Sequence, residues 1–226
     1  MHNITRDEYL ANPCGTCSVA FWKNSYFKKP DGVQLIHEKA LPPVNLDNFK
    51  IARYFRLSHN LQKINAPGLP KGYHFQSVDV AQQTATVADF INRCYENTKL
   101  TPDKVAAWTN YKVFDNDLWL FIYETASSTP AALGIADFDA AIGEGSLEWI
   151  QVLPEKRGKG LAKALVNELL SRLRHKAKFA TVSGETDNPS NPEALYRKCG
   201  FKGGDVWCLL TPKYKINNLT GGIYLE

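Results

Sequence analysis

A glycine-rich turn lies in the segment EWIQVLPEKRGKGLAKAL, residues 148–165, between an extended apolar run and an amphipathic run. Gly158 and Gly160 allow the backbone to turn tightly and expose successive N–H groups with no side chain in the way. A helix that starts directly after such a turn adds the positive end of its dipole. Arg157 and Lys159 add formal positive charge. This spacing therefore predicts a binding site for a phosphate group.

Two well-known phosphate-binding patterns do not match this turn. A Walker loop requires Gly-Lys-Ser/Thr, whereas Gly160 is followed by Leu161. A dinucleotide fingerprint requires a third glycine at position 163, which is Lys163. The small side chain of Ala162 allows a ligand or a neighbouring strand to approach the first turn of the helix. The sequence thus predicts a phosphate site of another kind.

Hydrophobic periodicity predicts the elements that position this turn. Extended runs are expected at 74–80, 117–125, 131–139, 146–154, 178–186 and 205–210. Helical patterns are expected at 87–97, 101–111, 161–173 and 192–198. The order is one strand, two helices, three strands, and then helix, strand, helix and strand. This order predicts an α+β fold with mixed strand pairing.

The first 64 residues differ in composition from the remainder. Residues 1–64 are rich in aromatic side chains, and two extended runs, 33–37 and 51–57, predict strands. The stretch NAPGLPKG, 65–72, carries two prolines and two glycines and is the best linker candidate. We expect a β-rich N-terminal extension packed on a main domain at 73–226. The role of the extension stays open, and a partner-binding module is one alternative.

Composition excludes several classes of protein. The 226 residues include 44% hydrophobic and 22% charged residues, close to globular averages, and the net charge is +4. That charge is too small for a typical duplex-binding domain, so a nucleic-acid partner is not expected. No apolar run is long enough to span a bilayer, and the N-terminus shows no signal peptide. We expect a cytoplasmic protein with no membrane partner.

Five cysteines are present, and the pair Cys14 and Cys17 forms a lone CGTC motif. A zinc site would require a second pair or nearby histidines, and a redox motif would require a strand before it and a helix after it. Neither context is evident in the sequence. We therefore expect reduced thiols and no metal site.

The glycine turn resembles the signature of the GNAT superfamily of acyl-CoA-dependent N-acyltransferases. That signature, [QR]-x-x-G-x-[GA] at a strand-to-helix turn, is matched by Arg157, Gly160 and Ala162. The family's V-x-P segment is matched just upstream by Val152 and Pro154. The resemblance implies a mostly antiparallel central sheet with splayed strands, flanked by helices.

A second block, ALYRKCGF at 194–201, is similar to another segment of the same family. Tyr196, Gly200 and Phe201 match its Tyr-x-x-x-Gly-Phe pattern. Two independent motifs thus occur in the family's order, and the resemblance covers about residues 72–212. The resemblance leaves the N-terminal segment unexplained.

The resemblance implies acetyl-CoA as co-substrate and assigns residues to it. The turn amides would hold the pyrophosphate, and the preceding strand would pair with the pantetheine arm. The implied cofactor-binding residues are Ile150, Gln151, Val152, Arg157, Gly158, Lys159, Gly160, Leu161 and Ala162. An asparagine often binds pantetheine in this family, and Asn188 and Asn191 both qualify here. They lie eight and five residues before Tyr196 instead of the usual seven, and Asn191 also fits a helix N-cap.

Attack by an amine requires its neutral form. A lysine-like amine has a pKa near 10.4, so presenting it neutral at pH 7 costs roughly 4–5 kcal/mol. A general base lowers this cost. Strand alternation places Glu148 on one face with Ile150 and Val152, and a glutamate near this place serves as base in some family members. Glu148 is therefore our candidate base, with Asp137, Asp139 and Glu185 in reserve.

Tyr196 is the candidate acid, because related enzymes use a tyrosine at this place to protonate the leaving thiolate. Alternatively, Tyr196 has only a structural role and packs beside Phe201. The expected reaction is acetyl transfer from acetyl-CoA to a primary amine by direct attack in a ternary complex. The acceptor, a small molecule or a protein amine, stays open, as does a homodimer. The alternative function is a non-catalytic acyl-CoA-binding sensor or scaffold module.

Overall fold

The structure is a computed structural model that describes residues 4–26, 30–42, 46–95 and 98–213. The chain divides into two compact units. Among the described residues, the N-terminal unit contains those from 4 to 57, Ser183–Glu193 and those from 203 to 213. The central unit contains Ser58–Val182 and Ala194–Lys202. The N-terminal segment therefore shares a unit with two segments from the far end of the chain.

The described residues form both helices and strands. The helices are α1 (Arg6–Ala11), α2 (Pro13–Thr16), α3 (Thr84–Cys94), α4 (Pro102–Trp108), α5 (Leu161–Leu173) and α6 (Pro192–Lys198). The strands are β1 (Gln34–His37), β2 (Phe49–His59), β3 (Tyr73–Ser77), β4 (Trp119–Glu124), β5 (Thr129–Asp139), β6 (Glu144–Val152), β7 (Phe179–Glu185) and β8 (Lys202–Pro212). Short 3-10 helices occupy Phe21–Ser25, Glu38–Ala40, Asn116–Leu118 and Pro154–Lys156.

The sheet of the central unit follows the order β3-β4-β5-β6-β7. The first three pairings are antiparallel, and β6 pairs with β7 in parallel. The mixed α+β fold with a mostly antiparallel sheet, as predicted, is confirmed. The strands and helices predicted between residues 74 and 210 are all present, with ends shifted by a few residues.

Helices cover both faces of this sheet. On one face, α3 and α4 pack against β4 and β5 through a buried apolar cluster. Its members on α3 are Val87, Ala88, Phe90 and Ile91, and its members on the strands include Trp119, Phe121, Leu133 and Ile135. On the other face, α5 buries the predicted apolar positions Leu161, Leu165, Leu169 and Leu173. Burial of these side chains fixes the direction of α5, and thus the place of its N-terminus.

In the N-terminal unit, β1 pairs with β8 antiparallel, from Gln34 opposite Leu210 to His37 opposite Trp207. The strands predicted at 33–37 and 51–57 are confirmed. Two helices that were not predicted, α1 and α2, precede these strands. The first begins with a capping box in which Thr5 and Glu8 bond reciprocally. Within the described residues, no helix is long and apolar enough to cross a membrane.

Candidate active site

Strand β6 carries a bulge at Glu148. Trp149 lies opposite Ile135 and Leu147 lies opposite Ala136. No residue of β5 therefore lies opposite Glu148. A bulge of this kind places two residues of one strand against one position of its neighbour. The bulge changes which face the residues before and after it occupy.

The contacts at two glycines show which face of the sheet each β6 residue occupies. A Cβ at Gly134, which pairs with Ile150, would lie 2.7 Å from Leu165 of α5. A Cβ at Gly145 would lie 2.5 Å from Leu173, on the same helix. Positions 145 and 150 therefore both face α5, although they are an odd number of residues apart. Regular alternation would place these two positions on opposite faces of the sheet. The bulge therefore reverses the alternation between them.

Glu148 lies on the sheet face away from α5. Its carboxylate accepts a hydrogen bond of 2.8 Å from the hydroxyl of Ser146. Ser146 follows Gly145 and so points to the opposite face from it. The expectation that Glu148 shares a face with Ile150 and Val152 is therefore wrong, because regular alternation was assumed across a bulge. The half-buried carboxylate instead faces the side of the sheet covered by α3 and α4.

Tyr196 lies on α6 and is 7% exposed. Its ring packs edge-on against Phe201, with centroids 5.6 Å apart. Burial raises the pKa of the Tyr196 phenol, and the neighbouring Tyr95, Cys199 and Glu148 raise it further. The candidate acid and the candidate base are thus close enough to interact electrostatically. At neutral pH the phenol is a protonated hydrogen-bond donor.

Several aromatic rings contact one another near these two candidate residues. The ring of Tyr95, directly after α3, lies edge-on to Trp149 at 6.0 Å. Trp149 stacks on Trp108 of α4 at 5.7 Å, with 17° between the ring planes. The amide nitrogen Nε2 of Gln151 donates to the Tyr95 hydroxyl at 3.4 Å. We call Tyr95, Trp149 and Gln151 the Tyr95 group.

The two glycines of the turn adopt left-handed backbone conformations. Gly158 and Gly160 have φ of 78° and 80°, where a side chain would be strained. No atom lies within 4 Å of a Cβ built at either position. Gly160 is the N-cap of α5 and makes no side-chain cap hydrogen bond to the first N–H groups of that helix. The turn is exposed.

Basic side chains near this turn are held by partners. Lys156 forms a 2.9 Å ion pair with Glu124, and this hydrogen bond lowers the pKa of Glu124 and raises the pKa of Lys156. Lys159 donates to the Tyr73 hydroxyl at 3.3 Å. The guanidinium Nε of Arg157 donates at 3.3 Å to the carbonyl of Val152, at the end of β6. These contacts orient the positive charge at the turn.

The strand before the turn leaves its parallel neighbour early. The parallel register joins Glu144–Leu147 to Phe179–Val182. Residues Ile150 to Val152 pair with β5. Among the described residues, the pairing of β6 with β7 ends before them. This is the splay that the family resemblance implied.

Asn188 and Asn191 lie in the N-terminal unit. The Asn188 side-chain oxygen accepts hydrogen bonds from the Ser190 backbone nitrogen at 2.9 Å and from its hydroxyl at 2.7 Å. Asn191 has φ of 49°, and its N–H donates to the Asn188 carbonyl at 2.9 Å. A role for either residue toward pantetheine stays a prediction. Of the reserve bases, Asp139 caps the backbone of Ala141.

The five cysteines are free thiols, and Cys14 and Cys17 are buried. Among the described residues, no group of three or more His, Cys, Asp or Glu side chains could hold a metal ion. Burial raises the pKa of Cys199 to about 11, so this thiol beside Tyr196 is protonated at neutral pH. Tyr95 and Trp149 were not predicted as site residues. No local sequence signal marks them, because their positions depend on how α3 packs on the sheet.

Comparison with known proteins agrees with this geometry. Residues 117–203 match the family model of the acetyltransferase (GNAT) domain. That range contains the β6 bulge, the glycine turn and Tyr196. The chain therefore carries a GNAT acetyltransferase domain at residues 117–203.

Solved structures share the fold at low sequence identity. A GCN5-related N-acetyltransferase from Sphaerobacter thermophilus has a TM-score of 0.69 at 19% identity, covering 79% of this chain and 58% of that one. This chain thus spans little more than half of that protein. A GCN5-related N-acetyltransferase from Kribbella flavida has a TM-score of 0.55 at 15% identity, covering 81% and 68%. A GNAT-family protein from Novosphingobium aromaticivorans has a TM-score of 0.50 at 16% identity, covering 83% and 71%. No curated protein sequence matches the chain.

Proposed function

We propose that this protein is an N-acetyltransferase that moves the acetyl group of acetyl-CoA to a primary amine by direct attack in a ternary complex. The observation that carries the proposal is the glycine turn. Two glycines at positive φ stand at the uncapped N-terminus of α5, directly after the splayed end of β6. An anion with an extended arm fits such a turn, because the turn supplies N–H donors and the strand supplies a free edge.

Acetyl-CoA would lie along the turn and the strand. The backbone N–H groups of residues 157–162 would hold the pyrophosphate, with Arg157 and Lys159 adding charge. The backbone of residues 150–152 would pair with the pantetheine arm. The open space around Gly158 and Gly160 supports this assignment, because a Cβ there would stand where the phosphates approach.

Glu148 would accept the proton of the amine. The amine nitrogen then attacks the thioester carbon, forming a C–N bond while the C–S bond breaks and the electron pair leaves on sulfur. The proposal is supported by the place of the carboxylate, which the bulge turns away from α5 and toward Tyr196. No covalent enzyme intermediate is needed.

Tyr196 would stabilise the leaving thiolate by donating a hydrogen bond and then its proton. Burial keeps the phenol neutral, which supports a donor role. A thiol has a pKa near 8.5, so the thiolate is already a fair leaving group and needs only modest help. A protonated Cys199 beside Tyr196 does not compete as a nucleophile.

The first test is thermal stability with acetyl-CoA, CoA, ATP and NAD, each well above a plausible Kd. At a hundred-fold excess over Kd, binding adds about 2.7 kcal/mol. For a chain of this size the melting temperature should rise by roughly 5–10 °C. We expect a rise with both CoA species and none with ATP or NAD. No rise with either CoA species would contradict the proposal.

A matched pair of variants assigns the site. Gly160→Ala places a Cβ on the turn at φ of 80°, and we expect it to remove most of the CoA-dependent shift. Gly68→Ala is the control, because Gly68 has φ of 59° and only ordinary contacts, outside the turn. Thiol release with a panel of amines then separates catalysis from the alternative of a non-catalytic acyl-CoA sensor. CoA binding without thiol release from any amine would favour the sensor.

A further inference from the structure

Gln151 has a buried side-chain oxygen that accepts no hydrogen bond from the residues the structure describes. The side chain is 5% exposed. Its nitrogen Nε2 donates to the Tyr95 hydroxyl at 3.4 Å, whereas its oxygen Oε1 is buried and unpaired. Buried amide oxygens in folded proteins nearly always accept a hydrogen bond. The described residues therefore supply no donor to Oε1.

This oxygen belongs to the surroundings of the candidate catalytic pair. Gln151 follows Glu148 by three residues on the same strand, beyond the bulge. Tyr95, which Gln151 contacts, interacts electrostatically with Tyr196, as Glu148 does. The unpaired amide oxygen and the candidate base thus belong to residues of one strand that face the same side of the sheet.

The neighbouring rings favour a positively charged group. Tyr95 is 41% exposed and lies edge-on to Trp149, which is stacked on Trp108. The faces of tyrosine and tryptophan rings attract ammonium groups. The Glu148 carboxylate adds a formal negative charge on the same side of the sheet. Rings, carboxylate and amide oxygen together suit an N–H donor with positive charge.

We propose that the Tyr95 group, Tyr95, Trp149 and Gln151, binds the second, protonated nitrogen of an alkyl diamine acceptor. This inference rests on the proposed function. The nitrogen that attacks the thioester must be neutral. A group of residues that prefers positive charge therefore binds a different nitrogen, one that does not react. That ammonium donates to Gln151 Oε1 and lies against the Tyr95 ring, while the other end of the molecule reaches Glu148.

The test is direct amine binding, measured by calorimetry with and without saturating CoA. The probes are 1,4-diaminobutane and n-butylamine at pH 7.5, which differ in the second nitrogen. We expect the wild-type protein to bind the diamine at least about ten-fold more tightly, and Gln151→Leu to reduce this preference to less than about threefold. Gln151→Glu should keep or strengthen it, because a carboxylate also accepts the hydrogen bond and adds charge. Gln82→Leu, an exposed position in the same unit, should match the wild type.

Equal binding of the two amines by wild-type protein would overturn the inference. So would a preference that survives Gln151→Leu, because Oε1 would then pair with water and not with the ligand. Melting temperatures of the variants verify folding, and Gln151→Glu keeps the test valid if the leucine variant does not fold. Binding is measured without acetyl transfer, so this result is independent of the CoA thermal shift. If the protein prefers the diamine but shows no thermal shift with CoA, the proposed function is contradicted and the diamine preference is not.

Discussion

Gly134 and Leu165 meet where β5 packs against α5. A Cβ at Gly134 would lie 2.7 Å from the Leu165 Cγ, and Leu165 is fully buried. The glycine thus lets the helix lie close to the sheet, and this contact fixes where the N-terminus of α5 and its glycine turn stand. Without it, the turn would move away from the end of β6.

Gly134→Ala tests this relationship. Overpacking a well-packed core costs typically about 1–3 kcal/mol. We expect the melting temperature to fall by roughly 3–10 °C and the CoA-dependent shift to weaken. Gly204→Ala, where no atom lies within 4 Å of the new Cβ, is the control and should change neither. An unchanged melting temperature for Gly134→Ala would show that α5 moves away at no cost.

Tyr196→Phe tests the proton donor. We expect kcat to fall by about 10²-fold, the low end of the effect of a general acid, because the thiolate leaves readily. The Kd for CoA should not change, since the phenol acts on the sulfur and not on the phosphates. Steady-state kinetics and calorimetry measure the two quantities, with Tyr111→Phe at an exposed tyrosine as the control. A wild-type kcat in Tyr196→Phe would remove the acid role.

Glu148→Gln tests the base and has a defined pH signature. At pH 7 we expect about a 10²-fold loss of kcat, because the variant cannot accept the proton. The loss should shrink as pH rises toward 10, since the neutral fraction of an alkylamine grows about tenfold per pH unit. The control is Asp89→Asn, an exposed carboxylate on α3. A loss that is constant from pH 7 to 10 would assign Glu148 to positioning and not to proton transfer.

His59 should make the stability of the central unit depend on pH. Burial lowers its pKa, the backbone of Lys63 acts in the opposite direction, and Lys202 lowers the pKa again. Its Nδ1 accepts the N–H of Leu61 at 2.9 Å, which requires that nitrogen to be unprotonated. The unfolded chain therefore binds a proton at higher pH than the folded one, so stability is lost as pH falls below about 6.5.

The measurement is the melting temperature at pH 7.5 and at pH 5.5. His59→Asn keeps an acceptor for the Leu61 N–H and does not titrate, so we expect a smaller decrease between the two pH values than in the wild type. The matched control is His74→Asn, at an exposed histidine, which should retain the wild-type decrease. Equal decreases in wild type and His59→Asn would show that other groups cause the pH dependence.

The glycine turn and its flanking elements could be predicted from the sequence, because the signals that form them are local. Gly158 and Gly160 tolerate positive φ, and the leucine spacing of α5 predicts its buried face. The position of Tyr196 on a short helix followed from its motif.

Tertiary structure decided the face on which Glu148 lies. The bulge exists only in the register of β6 against β5, and no residue type at 147–149 marks it. The contact of Tyr95 with Gln151 depends in the same way on how α3 packs over the sheet. Neighbouring residues in sequence specify turns and helices, whereas registers and cross-element contacts are set by the packing of segments far apart in the chain. For this reason the glycine turn could be predicted from the sequence alone, whereas the structure decided what surrounds Glu148 and Tyr196.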